Sequence, residues 1–162
     1  MYQLLVKLRS AILVFLTHHM ALPLLKLVRN EEKFPYSLPQ LMQMTPASLG
    51  YTLGSFLYQK KLQLLPYYAR HDIKHILLEY DTTDEGEVCL QCFMLGNRHV
   101  SFPVLATVVY GFVTMPEHWT DFKKAVRRGR QAPSLRHWQW YTLLAIPVSD
   151  LRQQINQLST DV

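Results

Sequence analysis

The chain has 162 residues, 49% of them hydrophobic and 18% charged, with seven histidines, two cysteines and a formal net charge of +5. This length fits one domain, the apolar fraction suffices for a core and excludes wholesale disorder, and two cysteines cannot build a disulfide framework. The positive charge suits an anionic partner. Because basic residues cluster only at Lys60-Lys61 and from Lys123 to Arg130, with no nucleic-acid motif beside them, a membrane surface is expected and nucleic acid is not.

Near the N-terminus the apolar run from Ala11 to Leu16 is only about six residues, too short for a signal core or for the ~20 that cross a bilayer. His18-His19 follow it in place of a small-residue cleavage site. Residues 3–30 are expected to form two apolar helices, or one kinked at Pro23, that pack in the core or contact a membrane or a second copy. Glu31 to Tyr36 reads as a loop. Thr45-Pro46 predicts a helix start, with Thr as N-cap and Pro in the first turn, and the helix runs to about Lys61. Gly50 and Gly54, four apart on it, admit close approach of another helix or of a ligand's hydrocarbon chain.

Leu64-Leu65-Pro66 leads into a helix over residues 67–80. At about 100° per residue, Ala69, Ile73, Ile76, Leu77 and Tyr80 form an apolar stripe facing the core. His71 and His75 stand one turn apart on the opposite side, with Asp72 able to converge on the same point. Two imidazoles and a carboxylate suit zinc or a similar divalent ion, although Lys74 and Glu79 on that side equally describe a solvated face. Glu79, Glu87 and the pair Cys89 and Cys92 are candidates for a third ligand. In a helix starting near Glu87, that residue shares a side with Gln91 and Met94, whereas Cys89, Cys92 and Phe93 share the other. The chain thus offers a His/carboxylate site or a Cys2His2 site; with no strand or proline nearby, the cysteines read as small buried residues rather than a redox motif.

The acidic turn from Asp81 to Gly86 lacks the ligand spacing of a calcium loop and reads as turn residues and helix N-terminal charges. A helix from about Glu87 to Leu95 ends at Gly96-Asn97. Val100 to Val113, almost wholly apolar, is expected to be the buried central helix. Pro116-Glu117 opens a helix to about Arg128 with a basic face, and Arg128-Gly129-Arg130 could clamp a carboxylate or phosphate. His137 to Tyr141 is an aromatic cluster, and Pro147 to Asp150 caps a last helix ending near Leu158.

The spacing His71-Asp72-x-x-His75, then residues 76–86, then Glu87 after Gly86, resembles the metal motif of the Coq-four family of coenzyme Q (ubiquinone) biosynthesis proteins. Thr52-Leu53-Gly54, Arg128 to Ala132, Trp140 and Pro147 to Arg152 resemble its flanking segments, so the likeness runs from about Pro46 to Leu158. The resemblance implies that His71, Asp72, His75 and Glu87 bind a divalent metal, usually zinc. The chain departs from the family pattern at Glu79, where glycine is expected, at Tyr141, where an acidic residue is expected, and at Ser55, where arginine or another polar group is expected.

The expectation is one all-α domain of about seven or eight helices around a metal site and an apolar cavity. The resemblance further implies binding of polyprenylated ring precursors and a link to oxidative decarboxylation of the ring, with Asp72 moving protons and Arg128 or Arg130 holding an anionic head group. A non-catalytic isoprenoid-lipid-binding or scaffold protein in a quinone-biosynthesis complex, with other proteins of that pathway or a second copy as partners, is the alternative. A small metal-dependent hydrolase is a third reading, disfavoured by the apolar surroundings. Being short for the family and without an evident organelle-targeting extension, the chain reads as a bacterial-type protein, cytoplasmic and peripheral to the inner membrane.

Overall fold

Seven α-helices and one 3-10 turn carry the described residues, with no strand among them, in a single all-α domain. The computed structural model describes Ala11 and residues 34–64 and 68–157. The expected N-terminal helices over 3–30 lie outside these, Ala11 apart, and the last helix, expected to end near Leu158, ends at Asn156. The helices are α1 (Leu38–Met42), α2 (Leu49–Lys60), α3 (Ala69–Leu78), α4 (Asp84–Gly96), α5 (Phe102–Thr114), α6 (Trp119–Gln131) and α7 (Val148–Asn156), with the 3-10 turn at Pro116–His118 before α6. Among the described residues no helix is long and apolar enough to cross a membrane.

The hub is α4, which packs against α3, α5 and α6. Thr83 starts it, its side chain accepting the Gly86 N–H at 3.1 Å, one turn before the expected start at Glu87. Asp84, Glu85 and Glu87 then lie in or beside the first turn, where the helix dipole favours them. On its inner side Leu90, Phe93 and Met94 join Leu41, Leu53, Ile73, Leu77, Trp140 and Leu151 in the main core. On its other side Val88, Cys89 and Cys92 meet Val108, Met115, Phe122 and Ala125 in a second apolar cluster. Gly96 and Gly129 make the α4–α6 contact possible. A Cβ on Gly96 would collide with the Val126 carbonyl, and one on Gly129 with the Phe93 carbonyl, so these backbones touch directly. Buried Asn97 locks the same junction, donating to the carbonyls of Gly129, Ala132 and Pro133 and accepting the Leu135 N–H at 2.8 Å.

Three expectations need correction. First, α5 is not the central helix. Val104, Val108 and Gly111 are buried against α4, whereas Phe102, Leu105, Val109 and Val113 are exposed. Second, Thr45-Pro46 does not open α2. Ala47 takes a left-handed φ of 68°, which breaks any helix through it, and Ser48 is the N-cap, its Oγ accepting the Tyr51 N–H. The first N–H groups of α2 donate to the carbonyls of Ile146 and Leu144, both at 2.8 Å, tying it to the segment before α7. Third, α1 occupies a stretch for which the sequence pattern predicts no helix. Its signal is Ser37-Leu38-Pro39-Gln40, where the Gln40 side chain accepts the Ser37 N–H at 2.7 Å. Gly54 faces Leu41 and Met42 of α1 and serves helix packing, whereas Gly50 faces Met44 and the Leu144 carbonyl, outside any helix.

Candidate metal centre

The helix that carries the histidines is held at its C-terminal end by two arginines from later in the chain. Ala69, Ile73, Ile76 and Leu77 are buried as the stripe predicts, but Tyr80 lies past the helix end, which comes at Leu78. Glu79 closes α3 in the left-handed conformation, φ 61°, and its N–H reaches the His75 carbonyl at 3.0 Å. Two of the other carbonyls of the last turn are taken by arginines. Arg152 of α7 donates to Ile76 at 2.7 Å and pairs with Glu79 at 3.0 Å, while Arg128 of α6 donates to Leu78 at 2.6 Å. Helix ends leave such carbonyls without intrahelical partners, and guanidinium groups there also answer the helix dipole.

The expected polar side is not a solvated face. His75 is 3% exposed and Asp72 9%. The aromatic segment after α6 covers the neighbouring face, with Lys74 over Trp140 and Arg70 over Tyr141, each 5.5 Å from the ring centre.

Three of the predicted ligands meet at one point. His71 Nε2 and His75 Nε2 are 3.0 Å apart, and Glu87 lies 3.0 Å from the first and 2.9 Å from the second. Four tetrahedral donors at zinc bond lengths stand about 3.3 Å from one another, so this trio fits the face of such a shell. The tautomer agrees. His75 Nδ1 donates to the Tyr80 carbonyl at 2.8 Å, which leaves the Nε2 lone pair of the neutral ring directed at the trio. Asp72 is buried beside these three but is not one of the donors that share the point.

The electrostatics match a site built for positive charge. Burial pushes Glu87 up, yet hydrogen bonds from both histidines and their charges overrule it and hold the carboxyl at about 2. Burial pulls His75 down, but the hydrogen bond and charge of Glu87, with the Tyr80 carbonyl and Asp72, leave it raised. Asp72 is raised to about 6, chiefly by burial, against the lowering influence of the two histidines.

The other candidates are elsewhere. Glu79 faces Arg152, and Cys89 and Cys92 sit in the second apolar cluster, where burial pushes both thiols up to about 12, so no Cys2His2 site forms. Arg128 holds α3 and lies 5.5 Å above the rings of Tyr80 and Phe93, and Arg130 is exposed two positions along α6. A second trio, Glu85, His118 and Asp121, is partly exposed; its carboxylates occupy the first turns of α4 and α6, and Asp121 pairs with Lys124 at 3.2 Å. An open groove of about 390 Å³ reaches His75, between Thr52, Ser55 and Gln59 of α2 and Glu79 and Arg152. Its lining mixes polar and apolar groups, unlike the expected apolar cavity. Sequence reasoning missed Arg152 and the Tyr80 carbonyl as supports of the site. Nothing in a local pattern marks a contact spanning 76 positions, or one made by a backbone oxygen.

The family profile of coenzyme Q (ubiquinone) biosynthesis protein Coq4 matches residues 64–160, a stretch that contains His71, Asp72, His75 and Glu87. No curated protein matches the chain. Among solved structures it is similar to a Nostoc punctiforme PCC 73102 protein assigned to ubiquinone biosynthesis, with a TM-score of 0.66, 21% identity, and coverage of 95% of this chain and 80% of that one. At that identity the likeness speaks for the fold. With the profile spanning more than half of its residues, the chain belongs to the Coq4 family of coenzyme Q biosynthesis proteins.

Proposed function

We propose that this chain holds one divalent metal ion, zinc or a close relative, through His71, His75 and Glu87, and acts on a polyprenylated ring precursor of coenzyme Q. Membership of the family supports the pathway. The observation that carries the metal is the convergence of two imidazole nitrogens and a carboxylate within 2.9–3.3 Å, with His75 fixed in the right tautomer by the Tyr80 carbonyl. Three protein donors are the number typical of catalytic zinc sites, which keep one position open, and this favours an enzyme over a purely structural site.

A bound ion supplies Lewis-acid polarisation of a phenolate or carboxylate oxygen. The chain supplies the rest. Glu87 and the two imidazoles bind and orient, and Asp72, buried beside them, is placed to take or return a proton. The reaction we assign is oxidative decarboxylation of the ring: the carboxyl carbon leaves as CO2, a hydroxyl with its oxygen from water takes its place, and two electrons and two protons pass to dioxygen. The alternative is the isoprenoid-binding scaffold. In either case Arg128 also supports α3, and Arg130, exposed on the same helix, is the other cation for the anionic head group.

Elemental analysis of the purified full chain and of His75→Ala, with mass spectrometry of copurifying lipid, tests this. One metal ion per chain, lost in the variant, with a prenylated ring compound bound, is the expected result. A metal-free wild type that still carries isoprenoid would replace the enzyme with the scaffold, and a metal retained by His75→Ala would remove the site.

A further inference from the structure

One face of α5 has no cover among the described residues. Phe102, Leu105, Val109 and Val113 recur at helical spacing with exposures of 65%, 43%, 61% and 74%, and Val100, just ahead of the helix, is 62% exposed. Ala106 between them is exposed as well, and α5 contains no charged residue at all. The stripe runs the length of the helix, about 16 Å from Phe102 to Val113 at 1.5 Å per residue. Isolated exposed hydrophobics are ordinary, whereas a continuous uncharged stripe is the mark of a surface that meets something apolar.

The neighbourhood says what that is. At the end of α5 the chain turns through Trp119, 44% exposed, whose indole N–H is fixed to the Phe112 carbonyl at 2.7 Å. Next to it runs α6, which shares the second apolar cluster with α5 and exposes Lys123, Lys124, Arg127 and Arg130. An apolar helix face, a tryptophan at its edge and a cationic helix alongside are the components of an interfacial contact with anionic lipid. A second copy of the chain would bring the same net charge of +5 to the contact, whereas anionic headgroups bring the opposite one. At 13 residues α5 is far short of a span, so it would lie in the plane of the interface.

We propose that the exposed face of α5 docks on an anionic lipid surface, with Trp119 at the headgroup level and the cations of α6 against the phosphates. The docking goes beyond the metal-dependent reading and stands without it. It also gives a place where a lipid-tailed molecule could be met.

The test is cosedimentation of the full chain with vesicles of phosphatidylcholine alone and of phosphatidylcholine mixed with phosphatidylglycerol. The variants are Leu105→Gln/Val109→Gln on the apolar face and Lys123→Gln/Arg127→Gln on the cationic one. Their side chains are exposed, so circular dichroism should match wild type; Val113→Gln alone is the milder probe if the first pair fails to fold. Wild type should bind the phosphatidylglycerol vesicles and not the neutral ones, and each double variant should bind about tenfold more weakly. Unchanged binding by the apolar variants would overturn the proposal. So would light scattering that shows a wild-type dimer dissociated by Leu105→Gln/Val109→Gln, because the cover would then be a second copy.

Discussion

Glu79 adopts φ 61° at the end of α3, a conformation that suits glycine, which is the residue the resemblance leads one to expect there. The local strain is offset only by an exposed pair with Arg152, and exposed pairs contribute little. Glu79→Gly should therefore leave stability unchanged or raise it by up to about 1 kcal/mol, seen as a rise of about 2–4 °C in thermal midpoint. A fall of that size would show that the Arg152 pair outweighs the strain. Residue chemistry in the site was partly legible: the i, i+4 histidines and the separation of Glu87 from the cysteines follow from helical phase. The role of Arg128 did not. A basic pair flanking glycine looks like an anion clamp, yet Arg128 reaches back 50 positions to the Leu78 carbonyl and stacks on Tyr80 and Phe93.

At the scale of elements, the contact between α4 and α6 is set by Gly96 and Gly129, each facing a backbone carbonyl of the other helix. Backbone cannot yield as a flexible side chain does. Gly129→Ala should force the helices apart, disturb the Asn97 hydrogen bonds and cost about 3 kcal/mol or more, measured by denaturant unfolding. Little change would mean that α6 slides freely on α4. Sequence periodicity identified α4, α5 and α6 as helices but chose the wrong one as central. The physical reason lies in α5 itself: with no polar residue outside Thr and Tyr in its length, its pattern has no phase to say which side is inside. Its burial is decided by α4, whose buried Val88 meets Gly111.

For the whole molecule, the charges around the trio predict opposite pH responses with and without metal. In the metal-free protein His75 is raised, so its stabilisation is complete below its ordinary value of 6.5 and is lost as pH climbs through the higher folded value. Asp72 titrates at about 6 when folded rather than 3.8, so the folded state holds its proton longer and stability also falls as pH rises between those values. Glu87, held at about 2 against 4.5, acts the other way, its contribution present above 4.5 and lost as pH falls toward 2. The thermal midpoint of metal-free protein should thus decline from about pH 5 to pH 8, while added zinc should raise it more at the upper end, because bound ligands must be deprotonated. A metal-free midpoint that climbs over this range would contradict the charge arrangement.

What the amino-acid sequence determined on its own was the all-α class, the helices from α2 to α7 to within a turn, and the alignment of His71 and His75 on one helix face. Each of these depends on contacts within a few residues, where the 3.6-residue period is informative. Only the tertiary structure decided that Glu87 meets both histidines while Asp72 stands aside, that Arg128 and Arg152 close α3, that the Tyr80 carbonyl sets the tautomer of His75, and that α5 shows an apolar face outward. These depend on which distant segments come to lie together, and no local period carries that information.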